Sequence, residues 1–128
     1  MNLLLIDISA RLPYGVVLDI DTSDWRAPQG HIKLKVDGVG IIFKNMSLVV
    51  NGNYYGEKYK PYLRPMEDMT EEEREEYRNI DSRSYSCPIE YAHIPASDRI
   101  DWLNRKMFDY RGLIPKGLAL PAPKEMYK

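Results

Sequence analysis

Helix start, apolar spacing and helix stop agree in only one stretch of this chain, the run Ser97-Asp-Arg-Ile-Asp-Trp-Leu-Asn-Arg-Lys-Met-Phe-Asp-Tyr-Arg-Gly112. Ser97 is a good N-cap, since its hydroxyl satisfies a free amide of the first turn, and Asp98 suits the positive end of the helix dipole. Ile100, Leu103 and Met107 form one face, which Trp102 and Phe108 widen. Gly112 fits the left-handed C′ position and brings Leu113 back over Phe108 in a Schellman ending. Pro115 and Gly117 add a turn before Leu118-Ala-Leu120, a last short strand. A helix this apolar on one side must cover something, so the rest of the chain has to supply a surface.

The first half supplies it as β-structure. Leu5, Ile8 and Leu12 fall at helical spacing and Pro13 with Gly15 stops them, so Leu3 to Leu12 is read as a short helix, with a strand as the rival. Val16 to Ile20 is β-branched and precedes the turn-rich Asp21-Thr-Ser-Asp24. His31-Ile-Lys-Leu-Lys-Val36 alternates strictly, with Ile32, Leu34 and Val36 on one face and His31, Lys33 and Lys35 on the other. Asp37-Gly38 tolerates positive φ, so Ile41-Ile-Phe43 is expected to fold back on this strand as a hairpin. Met46 to Val50 is a further strand, and Asn51-Gly52-Asn53 a second turn leading to Tyr54 and Tyr55.

From Tyr59 to Met69 the character changes. Pro61 and Pro65 bracket Tyr62-Leu-Arg64 in an expected extended crossover. Thr70 and Glu73 have capping-box spacing, which predicts a helix from Glu71. Met66 to Ile80 holds seven acids and two arginines, a local charge of −5, so that helix must lie largely exposed. Asp81 to His93 lacks a clear period and is expected to be loop with at most a short strand.

The chain has 128 residues, a formal charge of −1 and one cysteine, Cys87. That length suits a single domain, 1–128, able to bury about two thirds of its unfolded surface. A near-neutral chain is unsuited to holding long nucleic acid through general electrostatics. One cysteine makes no intramolecular disulfide, and a reducing cytosol fits best. Leu3 to Ile6 is too short for a signal segment and runs directly into Asp7, and no stretch approaches the roughly 20 apolar residues that span a bilayer. A cytoplasmic protein without membrane contact is expected.

Catalytic motifs are scarce. Asp19, Asp21 and Asp24 invite a metal, but an EF-hand starting at Asp19 would have Asp24 in place of its glycine and Gly30 in place of its glutamate. Turn chemistry explains them more simply. His31 and His93 lack metalloprotease spacing, and His31 falls on a polar strand face where a solvated histidine is the plainer reading. Cys87 has no motif around it, no Gly-x-Ser-x-Gly elbow exists, and Gly38-Val-Gly40 lacks the rest of a dinucleotide fingerprint.

The most suggestive chemistry is Tyr54-Tyr-Gly-Glu-Lys-Tyr-Lys-Pro-Tyr-Leu-Arg64. Tyr54, Tyr55, Tyr59 and Tyr62 could stack on bases while Lys58, Lys60 and Arg64 meet phosphates. The alternative is an outer strand and crossover whose tyrosines pack with their hydroxyls at the surface. Arg105, Lys106 and Arg111 form a second basic group, and Ser97 to Lys128 carries a local charge of +3. Against the acidic helix this permits intramolecular or head-to-tail pairing, hence a homo-oligomer, with anion binding second.

Trp102-Leu-Asn, Phe108-Asp-Tyr-Arg-Gly-Leu-Ile, Lys116-Gly-Leu-Ala-Leu, Tyr62-Leu-Arg-Pro before Met69-Thr-Glu-Glu, and Ala10-Arg-Leu-Pro-Tyr-Gly are similar to a family of short phage and prophage proteins of gut bacteria. The resemblance spans most of the chain outside 81–93. It implies a virus-associated protein of the bacterial cytoplasm and transfers no catalytic residue.

The expected fold is α+β: a small antiparallel sheet or half-open barrel, an exposed acidic helix, and a C-terminal amphipathic helix packed on the sheet. The expected function is a non-catalytic binding protein that needs no cofactor. It would hold a small anionic ligand or nucleotide, or a host protein, in the service of counter-defence. The alternatives are a small hydrolase or nuclease using Asp19, Asp21 and a divalent ion, and a structural or assembly accessory.

Overall fold

The apolar spacing of the N-terminal segment produces helix α1, Leu3–Arg11, in a computed structural model that describes residues 3–21, 31–36, 41–44, 47–50, 53–56, 58–86, 89–91 and 93–127. Ile8 is fully buried, and Leu5 and Leu12 pack against the same core. A 3-10 turn, Leu12–Tyr14, opened by Pro13, ends at Gly15 with φ +77°, and a Cβ there would meet Lys35 Cε at 3.0 Å. That close left-handed corner turns the chain into β1, Val17–Asp21.

Strands β2 (His31–Lys35), β3 (Ile41–Lys44), β4 (Ser47–Val50), β5 (Asn53–Gly56), β6 (Tyr59–Leu63) and β7 (Leu120–Pro121) form two sheets, ordered β2-β1-β6-β7 and β3-β4-β5. The hairpin expected between His31–Val36 and Ile41–Phe43 is not formed: β2 pairs antiparallel with β1, and β3 with β4. β1 offers β2 a matching alternation, setting Leu18 opposite Leu34, Ile20 opposite Ile32 and Asp19 opposite Lys33. Those pairs outweigh a local turn signal. The turn residues Asp37-Gly38 and Asn51-Gly52 lie outside the described residues.

Of the extended crossover expected at Tyr62-Leu-Arg64, Tyr62 and Leu63 belong instead to the strand β6, between β1 and β7. Pro61 is tolerated for a geometric reason. The ladder bond from Asp21 N–H to the Lys58 carbonyl, 2.9 Å, makes alternate pairs the bonded ones, so Pro61, opposite Leu18, turns its nitrogen away from β1. On that other side the pairing with β7 begins only at Tyr62. The β6–β7 pairing is parallel, and the intervening chain makes the crossover through two helices.

Helix α2, Glu71–Ser86, starts at the expected residue. Its capping box is complete, with the Glu73 amide donating to Thr70 Oγ1 at 3.1 Å and the Thr70 amide to Glu73 Oε1 at 3.0 Å. It continues into the segment expected to be loop, and a 3-10 turn, Ile89–Tyr91, follows. The reason is pairing with helix α3, His93–Arg105. Tyr77 and Ile80 of α2 pack against the cluster of Trp102, Leu103 and Phe108, while Arg99 donates to Asp81 at 2.7 Å and Arg83 lies 3.5 Å from Asp98. Cys87 lies outside the described residues.

Both ends of α3 differ from expectation. It begins at His93, before Ser97, because Pro95 falls in a first turn whose amides need no helical partner. It ends at Arg105, and the left-handed residue that closes it is Met107, φ +62°; Gly112 is left-handed as expected, φ +72°, but lies beyond the helix. Phe108 N–H reaches the Leu103 carbonyl at 3.0 Å and Met107 N–H the Asn104 carbonyl at 3.1 Å, which is the Schellman pattern. A left-handed methionine costs about 1–2 kcal/mol. Burial of Met107 among Ile8, Val16 and Leu18, and of Phe108 beside Leu103, offsets it.

The α+β class predicted from the sequence is therefore the one observed, with the acids Glu71, Glu72, Glu75 and Glu76 of α2 exposed. Its main core joins α1, β1, β2, Tyr59 and Met107, and a second cluster, Trp102, Leu103 and Phe108, lies between α2 and α3.

Candidate functional site

The two faces of the first sheet divide by chemistry. Leu18, Ile20 and Tyr59 face the core. Strand alternation puts Asp19 and Asp21 of β1, His31, Lys33 and Lys35 of β2, and Lys60 and Tyr62 of β6 on the other face. Asp21 stands opposite His31, and Asp19 stands between Lys33 on one strand and Lys60 on the other.

These groups interact. His31 Nδ1 lies 3.0 Å from Asp19 Oδ2, the imidazole 59% exposed and the carboxylate 13%. The Tyr62 hydroxyl donates weakly to Asp19 Oδ1 at 3.4 Å, and Lys33 Nζ sits 5.5 Å from the centre of the Tyr62 ring. Burial, reinforced by the Asp19 charge, pushes the Tyr62 phenol up from its ordinary pKa, so it stays a neutral donor.

A cavity of about 440 Å³ opens where the ends of these strands meet. Asp19, Asp21, His31, Lys58 and Lys60 supply its polar lining, and Leu4, Leu118 and Leu120 supply apolar wall. That volume lies within the range of about 300–1,000 Å³ usual for small-molecule pockets, and a few convergent polar groups on an apolar wall is their usual composition.

The residues expected to bind ligand are divided by the fold. Lys58, Tyr59 and Lys60 reach this cavity, although Tyr59 is only 4% exposed and its ring belongs mostly to the core. Tyr62 lies on the same sheet face, bonded to Asp19. Arg64 is turned elsewhere: it grips Glu73 through two bonds of 2.7 and 2.8 Å and covers the Phe108 ring at 4.2 Å. Arg111 turns inward, its Nε 3.3 Å from Asp7 Oδ1 and its Nη2 donating to the Tyr110 hydroxyl at 2.8 Å. Arg105 is exposed and, with Arg64, lines a separate groove of about 820 Å³ bordered by Glu67, Asp68 and Glu72. Tyr54 and Tyr55 belong to β5 of the second sheet, and their side chains lie outside the described residues.

Asp19 and Asp21 do share one strand face, yet among the described residues no group of three His, Cys, Asp or Glu side chains is placed to hold a metal. Asp24 lies outside them. What sequence reasoning passed over was the convergence of these aspartates with His31 and the lysines. The signal was the alternation of β1 and β2; what was lacking was the pairing that sets Asp21 opposite His31. The apolar wall from Leu4, Leu118 and Leu120 left no sequence mark.

No family model, curated protein or solved structure matches the chain. No helix among the described residues is long and apolar enough to cross a membrane.

Proposed function

We propose that the chain is a non-catalytic binding protein whose cavity at the sheet end takes a small anionic ligand of nucleotide size. The observation that carries this reading is the convergence of Lys58 and Lys60 with Asp19, Asp21 and His31 around one apolar-walled cavity. The lysines suit a phosphate as donors and point charges. The carboxylates accept hydroxyl protons, as a ribose would supply them. Leu4, Leu118 and Leu120 give a base an apolar surface, so recognition here relies on little aromatic stacking. In the phage setting that the sequence resemblance suggests, such a protein would serve counter-defence by withdrawing a nucleotide from the host cytoplasm.

Calorimetry and thermal shift with mono-, di- and cyclic nucleotides test this. Saturable binding at or below millimolar ligand is expected, weakened at least about tenfold by the double change Lys58→Ala and Lys60→Ala with the unfolding temperature unchanged. Silence from every nucleotide at millimolar concentration would rule the ligand reading out and leave a host protein as the partner to seek.

A further inference from the structure

The cavity proposed as the ligand site is lined by one imidazole, His31. Among the described residues, the charged and titratable groups facing His31 are Asp19 and Asp21 from β1, Lys33 on its own strand, and Lys58, Lys60 and the Tyr62 hydroxyl from β6. Leu4, Leu118 and Leu120 add only apolar surface.

Within the cavity lining, Lys58 and Lys60 balance Asp19 and Asp21, so the formal charge is zero with a neutral imidazole and +1 with an imidazolium. The hydrogen-bond geometry works in the same direction. Nδ1 is committed to Asp19 at 3.0 Å and carries its proton toward that carboxylate. In the neutral ring Nε2 is then an acceptor, presenting a lone pair that an anion avoids. Protonation turns Nε2 into a charged donor while the Nδ1 bond to Asp19 is kept.

We infer that anion capture by this cavity is coupled to proton uptake, the ligand and a proton on His31 binding together. The inference rests on the binding function proposed above. Linkage makes the effect reciprocal: a bound anion favours the imidazolium as much as the imidazolium favours the anion.

The probe is 3′,5′-cyclic AMP, a phosphodiester whose own charge stays constant over the range used, titrated by calorimetry between about pH 5.5 and 8.5. Affinity is expected to fall with rising pH, approaching about tenfold per unit for one linked proton, with up to one proton taken up per ligand bound. His31→Gln, whose amide can still donate to Asp19, is expected to bind with an affinity that no longer depends on pH. Binding with no pH dependence in the wild type, or an unchanged pH slope in His31→Gln, overturns the coupling and leaves the site standing. Absence of binding at every pH, together with silence from the other nucleotides, overturns both.

Discussion

Tyr127 donates its phenolic proton to the Tyr62 carbonyl at 2.7 Å and accepts the Val17 amide at 2.9 Å, which inserts one hydroxyl into the ladder between β1 and β6. The bonded pairs of that ladder alternate from Asp21 and Lys58, so the next in sequence after Asp19 and Lys60 is Val17 and Tyr62. The phenol stands where the direct backbone bond would form. Tyr127→Phe leaves a backbone donor and a backbone acceptor without their partner, at a cost of about 1–3 kcal/mol. Urea denaturation reads this directly. A loss under about 0.5 kcal/mol would mean that the strands close the gap by themselves.

The same phenol makes stability fall in alkali. Burial is the main cause that pushes the Tyr127 hydroxyl up to about 12 from an ordinary 10.0. The folded state therefore favours the neutral phenol, and its contribution is complete below pH 10 and lost as pH rises toward 12. The loss runs at up to about 1.4 kcal/mol per pH unit in that window. Denaturation curves across it should converge for wild type and Tyr127→Phe, since the variant has nothing there to ionise.

Acid acts through Glu73. Hydrogen bonds from Arg64 hold its carboxyl down at about 2, against the upward push of burial, where 4.5 is ordinary. The stabilisation is present above pH 4.5 and disappears as pH falls toward 2. Glu73→Gln should cost about 1–2 kcal/mol at neutral pH, less than the whole shift implies because solvent screens a partly exposed pair. At pH 2 wild type and variant should be nearly equal. A gap that persists at pH 2 would assign the loss to the helix cap instead of the charge.

What the sequence conveyed and what it withheld divide by range. The capping box at Thr70 and Glu73 and the alternation of His31 to Val36 are local signals, and both hold. Pro61 sits in a strand because the register turns its nitrogen to the side facing away from β1, which no local signal conveys. A left-handed residue at a helix end suggests glycine, so Met107 could not be found without knowing that burial offsets its strain. The basic half of the candidate site, Lys58 and Lys60, was legible as a charged stretch. Asp19, Asp21 and His31 were visible singly; only the β2-β1-β6 order makes them neighbours of those lysines.

Trp102 is the keystone between α2 and α3. Its ring stacks on Phe108 at 5.8 Å and meets Tyr77 at 5.7 Å, and its Nε1–H donates to Glu76 at 3.0 Å. Trp102→Ala should cost about 3–5 kcal/mol, the range for truncating a buried large aromatic. Trp102→Phe keeps most of the packing and should cost clearly less. An equilibrium denaturation showing under about 1 kcal/mol for the alanine variant would remove this ring from the core.

The buried ion pair of α1 gives the sharpest contrast between breaking and replacing an interaction. Asp7 and Arg11 are both 0% exposed, joined at 2.9 and 3.1 Å, and Arg11 also donates to the Phe108 carbonyl at 2.6 Å while lying 5.3 Å from the Tyr110 ring centre. Their i,i+4 spacing resembles an ordinary surface pair, but the corner at Phe108 to Arg111 seals it from water. Removing one partner strands the other charge in a dry interior, so Asp7→Ala should cost about 3–5 kcal/mol. Arg111 sharpens the loss, because its Nε lies 3.3 Å from the same carboxylate and two cations would face each other without it. Replacing the pair with Asp7→Leu and Arg11→Met removes both desolvation costs and the facing of two cations, but leaves the Phe108 carbonyl, a penalty of about 1–3 kcal/mol, and the Arg111 guanidinium without their partners. The double variant should therefore be more stable than Asp7→Ala alone. Chemical denaturation of the two variants decides it, and a double variant that is the less stable of the two would show that the charges hold the corner in a way that apolar packing cannot.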